Sequence, residues 1–177
     1  MRTHHTTAKL RHVPEPLPLL LVDVDGVISL FGYDSRRPAP GRLVLVEGVP
    51  HLLSATAGAL LAQLRAEFEL VWCTGWEERA GEHLPALLGL PGVVDHVPLG
   101  AESPGAMAER HYKLDAIDAY AGPTRPLAWI DDAFDATCHE WASARRAPTE
   151  LIATDPGVGL LDAHVRRLRR WAARLPA

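Results

Sequence analysis

Five short apolar runs punctuate the chain, at 18–28, 69–75, 92–98, 126–132 and 150–154. Each has the length of a buried strand and is bounded by turn-forming or polar residues. Between them the apolar positions recur at helical spacing. Leu52, Leu53, Leu60, Leu61 and Leu64 predict a helix over 48–65, and further helices are predicted over 76–88, 107–120 and 161–175. Residues 29–47 break the pattern: they are rich in turn formers and contain Leu43-Val-Leu-Val, which reads as a flap with a short hairpin. Strands alternating with helices predict a Rossmann-like three-layer α/β sandwich, with a mainly parallel five-stranded sheet and right-handed crossovers.

The polar residues that end these runs carry the chemistry. The first run reads Pro18-Leu-Leu-Leu-Val-Asp-Val-Asp-Gly-Val-Ile28, so two acids stand inside an otherwise apolar stretch. Buried carboxylates are costly unless paired, hydrogen-bonded or metal-bound. On a strand, Asp23 and Asp25 would share one face. The second run ends in Thr74-Gly75 and the fourth in Asp131-Asp132. Ligands of parallel α/β sheets sit at the carboxyl ends of the strands, so three runs deliver polar groups to one rim.

Composition narrows the class. The chain has 177 residues, 47% of them hydrophobic and 23% charged, which suits one globular domain with a substantial core. On this reading residues 17–177 form that domain and 1–16, with three histidines and two prolines, are a flexible lead-in. The net charge of −4 gives no global attraction to nucleic acid. Two cysteines, Cys73 and Cys138, make neither a CxxC pair nor a disulfide framework. No apolar stretch approaches the ~20 residues needed to span a bilayer, and the expected location is the cytoplasm, without membrane partners.

Four carboxylates on one rim would repel an anionic substrate unless a cation were present. Hard oxygen ligands favour magnesium, which commonly joins carboxylates to substrate phosphate. Asp23 could then attack phosphorus, while Asp25 protonates the leaving oxygen and later activates water. Thr74, with the backbone at Gly75, and Lys113 could hold the phosphoryl oxygens. Lys113 stands out because the chain has 16 arginines and two lysines; a compact ammonium is a different tool from a planar guanidinium.

These features together resemble the haloacid dehalogenase (HAD) superfamily of phosphatases. The Asp-x-Asp motif after an apolar strand is matched by Leu21-Val-Asp-Val-Asp-Gly-Val27, the strand ending in Thr or Ser by Val71-Trp-Cys-Thr-Gly75, the lone lysine by Lys113, and the paired acids by Trp129-Ile-Asp-Asp132. The resemblance implies Asp23 as nucleophile, Asp25 as acid and base, and Thr74 and Lys113 as phosphate ligands. It further implies magnesium held by Asp23, the Asp25 backbone carbonyl and Asp131, with Asp132 nearby. The connecting segments are too short for a large cap domain. Selectivity then falls to the flap, where Phe31, Tyr33, Arg36 and Arg37 are candidates, and to Trp76, which could stack on a base or simply pack the start of its helix.

Other residues have plainer readings. Cys73 suits the core as an inert thiol. The scattered histidines lack zinc spacing, although His111 neighbours Lys113 in sequence. Five arginines of the last helix, at 166, 167, 169, 170 and 174, read as a solvated face. The leading functional expectation is a phosphatase acting on a phosphorylated small metabolite or nucleotide. Alternatives are a nucleic-acid 3′-end phosphatase, as in small HAD domains associated with RNA repair, phosphoryl transfer to an alcohol, and a non-catalytic binding module.

Overall fold

The computed structural model describes residues 16–34, 36, 39–100 and 110–176. All but the last residue of the 1–16 lead-in lies outside the described residues, as does Arg37. The chain opens with β1 (Leu19–Val22) and continues through three short strands, β2 (Ser29–Leu30), β3 (Gly41–Val46) and β4 (Val49–Ser54). There follow α1 (Ala57–Leu64), β5 (Glu69–Trp72), α2 (Glu78–Leu88), β6 (Asp95–His96) and α3 (Leu114–Ala121). The last elements are β7 (Leu127–Asp131), α4 (Ala136–Ala144), β8 (Thr149–Ala153) and α5 (Asp162–Ala172).

Five strands form one parallel sheet in the order β6-β5-β1-β7-β8. Every residue of β1 is buried, because β1 is central and covered on both faces. Its side chains alternate: Leu20 and Val22 join a core with Leu61 of α1, Leu84 of α2 and Leu168 of α5, whereas Leu19 and Leu21 join a second core with Leu114 of α3 and Trp141 of α4. The result is the expected three-layer α/β sandwich. On α5 the buried stripe is Val165, Leu168 and Trp171. Arg167 and Arg169 on its outer side bind Glu150 at 2.6 Å and Glu67 at 2.8 Å, so part of the arginine-rich face is tied to neighbouring elements.

Two elements differ from expectation. The predicted helix over 48–65 begins only at Ala57; Val49–Ser54 is instead the strand β4, paired antiparallel with β3 in the register Val46↔Val49. Glu47 and Gly48 form the connecting turn with φ of 50° and 83°, the double left-handed geometry of a tight two-residue hairpin. Leu52 and Leu53 had fitted a helical period, but cross-strand pairing with β3 and β2 claims them. The three strands form their own sheet, in the order β2-β4-β3. The second difference is α4, an element the apolar pattern did not predict. It is capped by Asp135, whose Oδ1 accepts from the Cys138 N–H at 3.0 Å. The helix predicted over 107–120 is seen from Leu114, while 107–109 lie outside the described residues.

Among the described residues the hairpin sheet is the sole elaboration between β1 and α1, and no large cap is present. No described helix is long and apolar enough to cross a membrane.

Candidate active site

Because β1 lies between β5 and β7, the ends of three strands meet at one rim. β1 stops at Val22, before the acidic pair rather than at it. Asp23 still donates its backbone N–H to the Ile130 carbonyl at 3.0 Å, and then the chain coils tightly. The N–H groups of Ile28 and Ser29 both reach the Val24 carbonyl, at 2.8 and 2.9 Å, and Gly26 N–H reaches the Ser29 carbonyl at 2.8 Å. Gly26 has φ of +72°, and a Cβ there would stand 2.4 Å from the Asp132 Cγ. Glycine is required on both counts. The Thr154 hydroxyl, just past β8, fastens the turn by donating to the Gly26 carbonyl at 3.0 Å.

This coil separates two acids that the sequence placed on one strand face. Asp23 is buried at the end of β1, and its Oδ1 accepts the Val24 N–H at 2.7 Å. Asp25 is exposed, and its Oδ2 accepts from Trp76 Nε1 at 3.0 Å. Asp23, Asp131 and Asp132 each present a carboxylate oxygen, and these lie within 4.8 Å of one another. The Asp25 carboxylate is not one of the three; only its backbone carbonyl was expected to reach a metal.

Lys113 sits immediately before α3 and is 2% exposed. Its Nζ lies 3.0 Å from Asp23 Oδ2 and 2.7 Å from Asp131 Oδ2. Burial alone would lower this ammonium's pKa, but the two carboxylates together raise it above the usual lysine value. For Asp23 the balance runs the other way: burial pushes its carboxyl up to about 6, with Asp131 adding to the rise, despite the opposing pull of Lys113. Burial and the neighbouring Asp131 also raise Asp132. One ammonium therefore leaves the acidic trio undercompensated. The donor set, three hard carboxylates around one point, fits magnesium, which would complete the charge balance.

The remaining predicted residues surround this centre. Thr74, 1% exposed, lies two residues past β5; its Oγ1 accepts the Trp76 N–H at 3.4 Å and its carbonyl the Glu77 N–H at 3.1 Å. Gly75 beside it is exposed. Phe31, Tyr33 and Arg36 are exposed on the flap, where Phe31 N–H donates to the Pro156 carbonyl at 3.0 Å and Arg36 N–H to Asp34 Oδ1 at 2.9 Å. His111 does neighbour the site, accepting the Lys113 N–H at Nδ1 over 3.3 Å. Cys73 is fully buried and its thiol is pushed up by that burial, in keeping with an inert core residue.

One of the scattered histidines, expected only to pack or to lie on the surface, stands next to a candidate site residue. His51 of β4 lies against Trp76, with ring centroids 4.6 Å apart, and its Nδ1 is 3.0 Å from Ser29 Oγ. The signal available in the sequence was the Glu47-Gly48 turn between alternating runs, which turns His51 from a helix residue into a strand residue facing the site. Residues 19–165 match the family model described as the HAD domain in Swiss Army Knife RNA repair proteins. No curated protein matches the chain.

Proposed function

Since the chain belongs to the HAD domain family of Swiss Army Knife RNA repair proteins, we propose that it is a magnesium-dependent phosphomonoesterase working through an aspartyl-phosphate on Asp23. The observation that carries this reading is the buried Lys113 ammonium between Asp23 and Asp131, with Asp132 completing the cluster. It fixes Asp23 with one oxygen on the Val24 N–H and the other on Lys113, a preorganised nucleophile.

In the first step an Asp23 carboxylate oxygen bonds to phosphorus as the ester P–O bond breaks, and the departing oxygen takes a proton from Asp25. In the second, Asp25 takes a proton from water, the water oxygen bonds to phosphorus, and the bond to Asp23 breaks, releasing phosphate and restoring both acids. Thr74, the backbone at Gly75 and Lys113 hold the phosphoryl oxygens. Asp23, Asp131, Asp132 and the Asp25 backbone carbonyl would hold magnesium, which supplies charge neutralisation between the acids and the phosphate.

Of the substrate classes, a phosphorylated metabolite or nucleotide and a nucleic-acid end, the RNA-repair description of the family supports the second. Arg166 and Arg170 on α5 and Arg174 just past it, all exposed, offer cations suited to a nucleic-acid backbone. The test measures phosphate release, with and without magnesium, from a 3′-phosphorylated oligonucleotide and from mononucleotides. Native protein is expected to turn over the oligonucleotide faster and Asp23→Asn to be inactive. Equal release by the variant removes Asp23 from its role; equal or faster turnover of mononucleotides returns the substrate to the small-molecule class. Tight binding without turnover makes the protein a binding module.

A further inference from the structure

A cavity of about 230 Å³ is lined by Val46, Val49, His51, Arg79 and Trp76, the residue that bonds Asp25. Its walls come from two elements far apart in sequence, the β3–β4 hairpin and the start of α2. They are fastened to each other at the hairpin tip, where Glu47 accepts from Arg79 at 3.2 Å and lies 3.4 Å from His83. Arg79 and His83 hold the Glu47 carboxyl below the usual glutamate range. His51 packs on Trp76 at an interplanar angle of 60° while Ser29 Oγ lies 3.0 Å from its Nδ1. The cavity is thus built from anchored groups.

Its position follows from Trp76, which does two things at once. The indole lines the cavity, and its N–H donates to Asp25 at 3.0 Å. In the reaction proposed above, on which this inference rests, Asp25 serves the departing oxygen. Whatever that oxygen carries therefore leaves from beside Trp76. The chemistry of the walls then selects the group. An indole, an imidazole and two valines favour a flat apolar surface, and the Arg79 guanidinium adds a cation suited to a π-face. A sugar hydroxyl set would meet few partners on the valines and indole, whereas a nucleobase stacks on such surfaces whatever its identity.

We propose that this cavity binds the base of the nucleotide that carries the scissile phosphate. The Asp23→Asn full-length chain, with magnesium present, is titrated by calorimetry with adenosine 3′-monophosphate and with glycerol phosphate. The nucleotide is expected to bind about tenfold more tightly, the scale of one stacked base. Val49→Asp and His51→Ala are each expected to erase most of that ratio. Val49 is 54% exposed, so its substitution tests the cavity without disturbing the core. Equal affinities in the Asp23→Asn chain, or a ratio that survives both substitutions, overturn the proposal. Failure of the enzymatic reading shows separately, as a native protein that releases no phosphate yet keeps the nucleotide preference and loses it with Val49→Asp.

Discussion

Trp76 Nε1 donates to Asp25 Oδ2 at 3.0 Å, joining residues 51 positions apart in the chain. A carboxyl group that accepts at one oxygen has the other left to carry a transferable proton. The indole thereby engages Oδ2 and, in the proposed reaction, leaves Oδ1 to carry the proton. Trp76 is in turn held by His51 and by the core around α2. An exposed acid at the end of a coil is oriented by a nearly buried aromatic residue from another strand end.

Trp76→Phe keeps a ring in place and removes the donor. Proton donation matters most when the leaving group is poor. Turnover of an alkyl phosphate is expected to fall about tenfold, a fraction of what general acid catalysis supplies, with a much smaller loss for p-nitrophenyl phosphate. Equal losses on the two substrates would reduce Trp76 to a packing residue.

Lys113→Met leaves Asp23 and Asp131 buried without their shared cation. Breaking a buried charge pair from one side is expected to cost about 3 kcal/mol of unfolding free energy, read from urea denaturation of the metal-free protein. Adding Asp131→Asn removes one of the stranded charges and should recover part of the loss. A double variant less stable than Lys113→Met would contradict the pairing.

The pH dependence of metal-free stability follows from Asp23. Its carboxyl rises from an ordinary 3.8 to about 6 through burial. A group raised in the folded state contributes stability that is full below its unfolded value and lost as pH climbs through the folded one. The metal-free melting temperature should therefore carry a component that declines between pH 3.8 and about 6, absent in Asp23→Asn. Magnesium, binding the ionised carboxylate, should raise Tm more above that window than below it. A gain that is larger on the acid side would refute the assignment.

Gly26→Ala meets two obstacles, a φ of +72° and an Asp132 Cγ 2.4 Å from the new Cβ. The conformational term alone costs on the order of 1 kcal/mol, and Asp132 must also move. Magnesium affinity, measured by calorimetry, is expected to fall alongside stability. Unchanged affinity would take Asp132 out of the metal site.

Much of this was open to reading in the sequence. Asp23, Thr74 and Asp131 follow apolar runs, and a parallel sheet with adjacent β5, β1 and β7 brings such endings together. Lys113 declared itself as a lysine in an arginine-rich chain. The misreadings have a common cause. Residues 49–54 and 136–144 are short segments whose local pattern is ambiguous, and pairing across strands or packing on a sheet settles them.

What the sequence determined by itself was the set of strand-ending residues, because burial and alternation are written locally in period and composition. Tertiary structure decided how those residues are placed relative to one another. The coil after Val22 parts Asp25 from Asp23, Lys113 reaches in from just before α3 to join Asp23 to Asp131, and the hairpin carries His51 onto Trp76, which bonds Asp25. The coil is local, but the Lys113 and His51 contacts join distant parts of the chain, and their distances and directions are set by how elements pack.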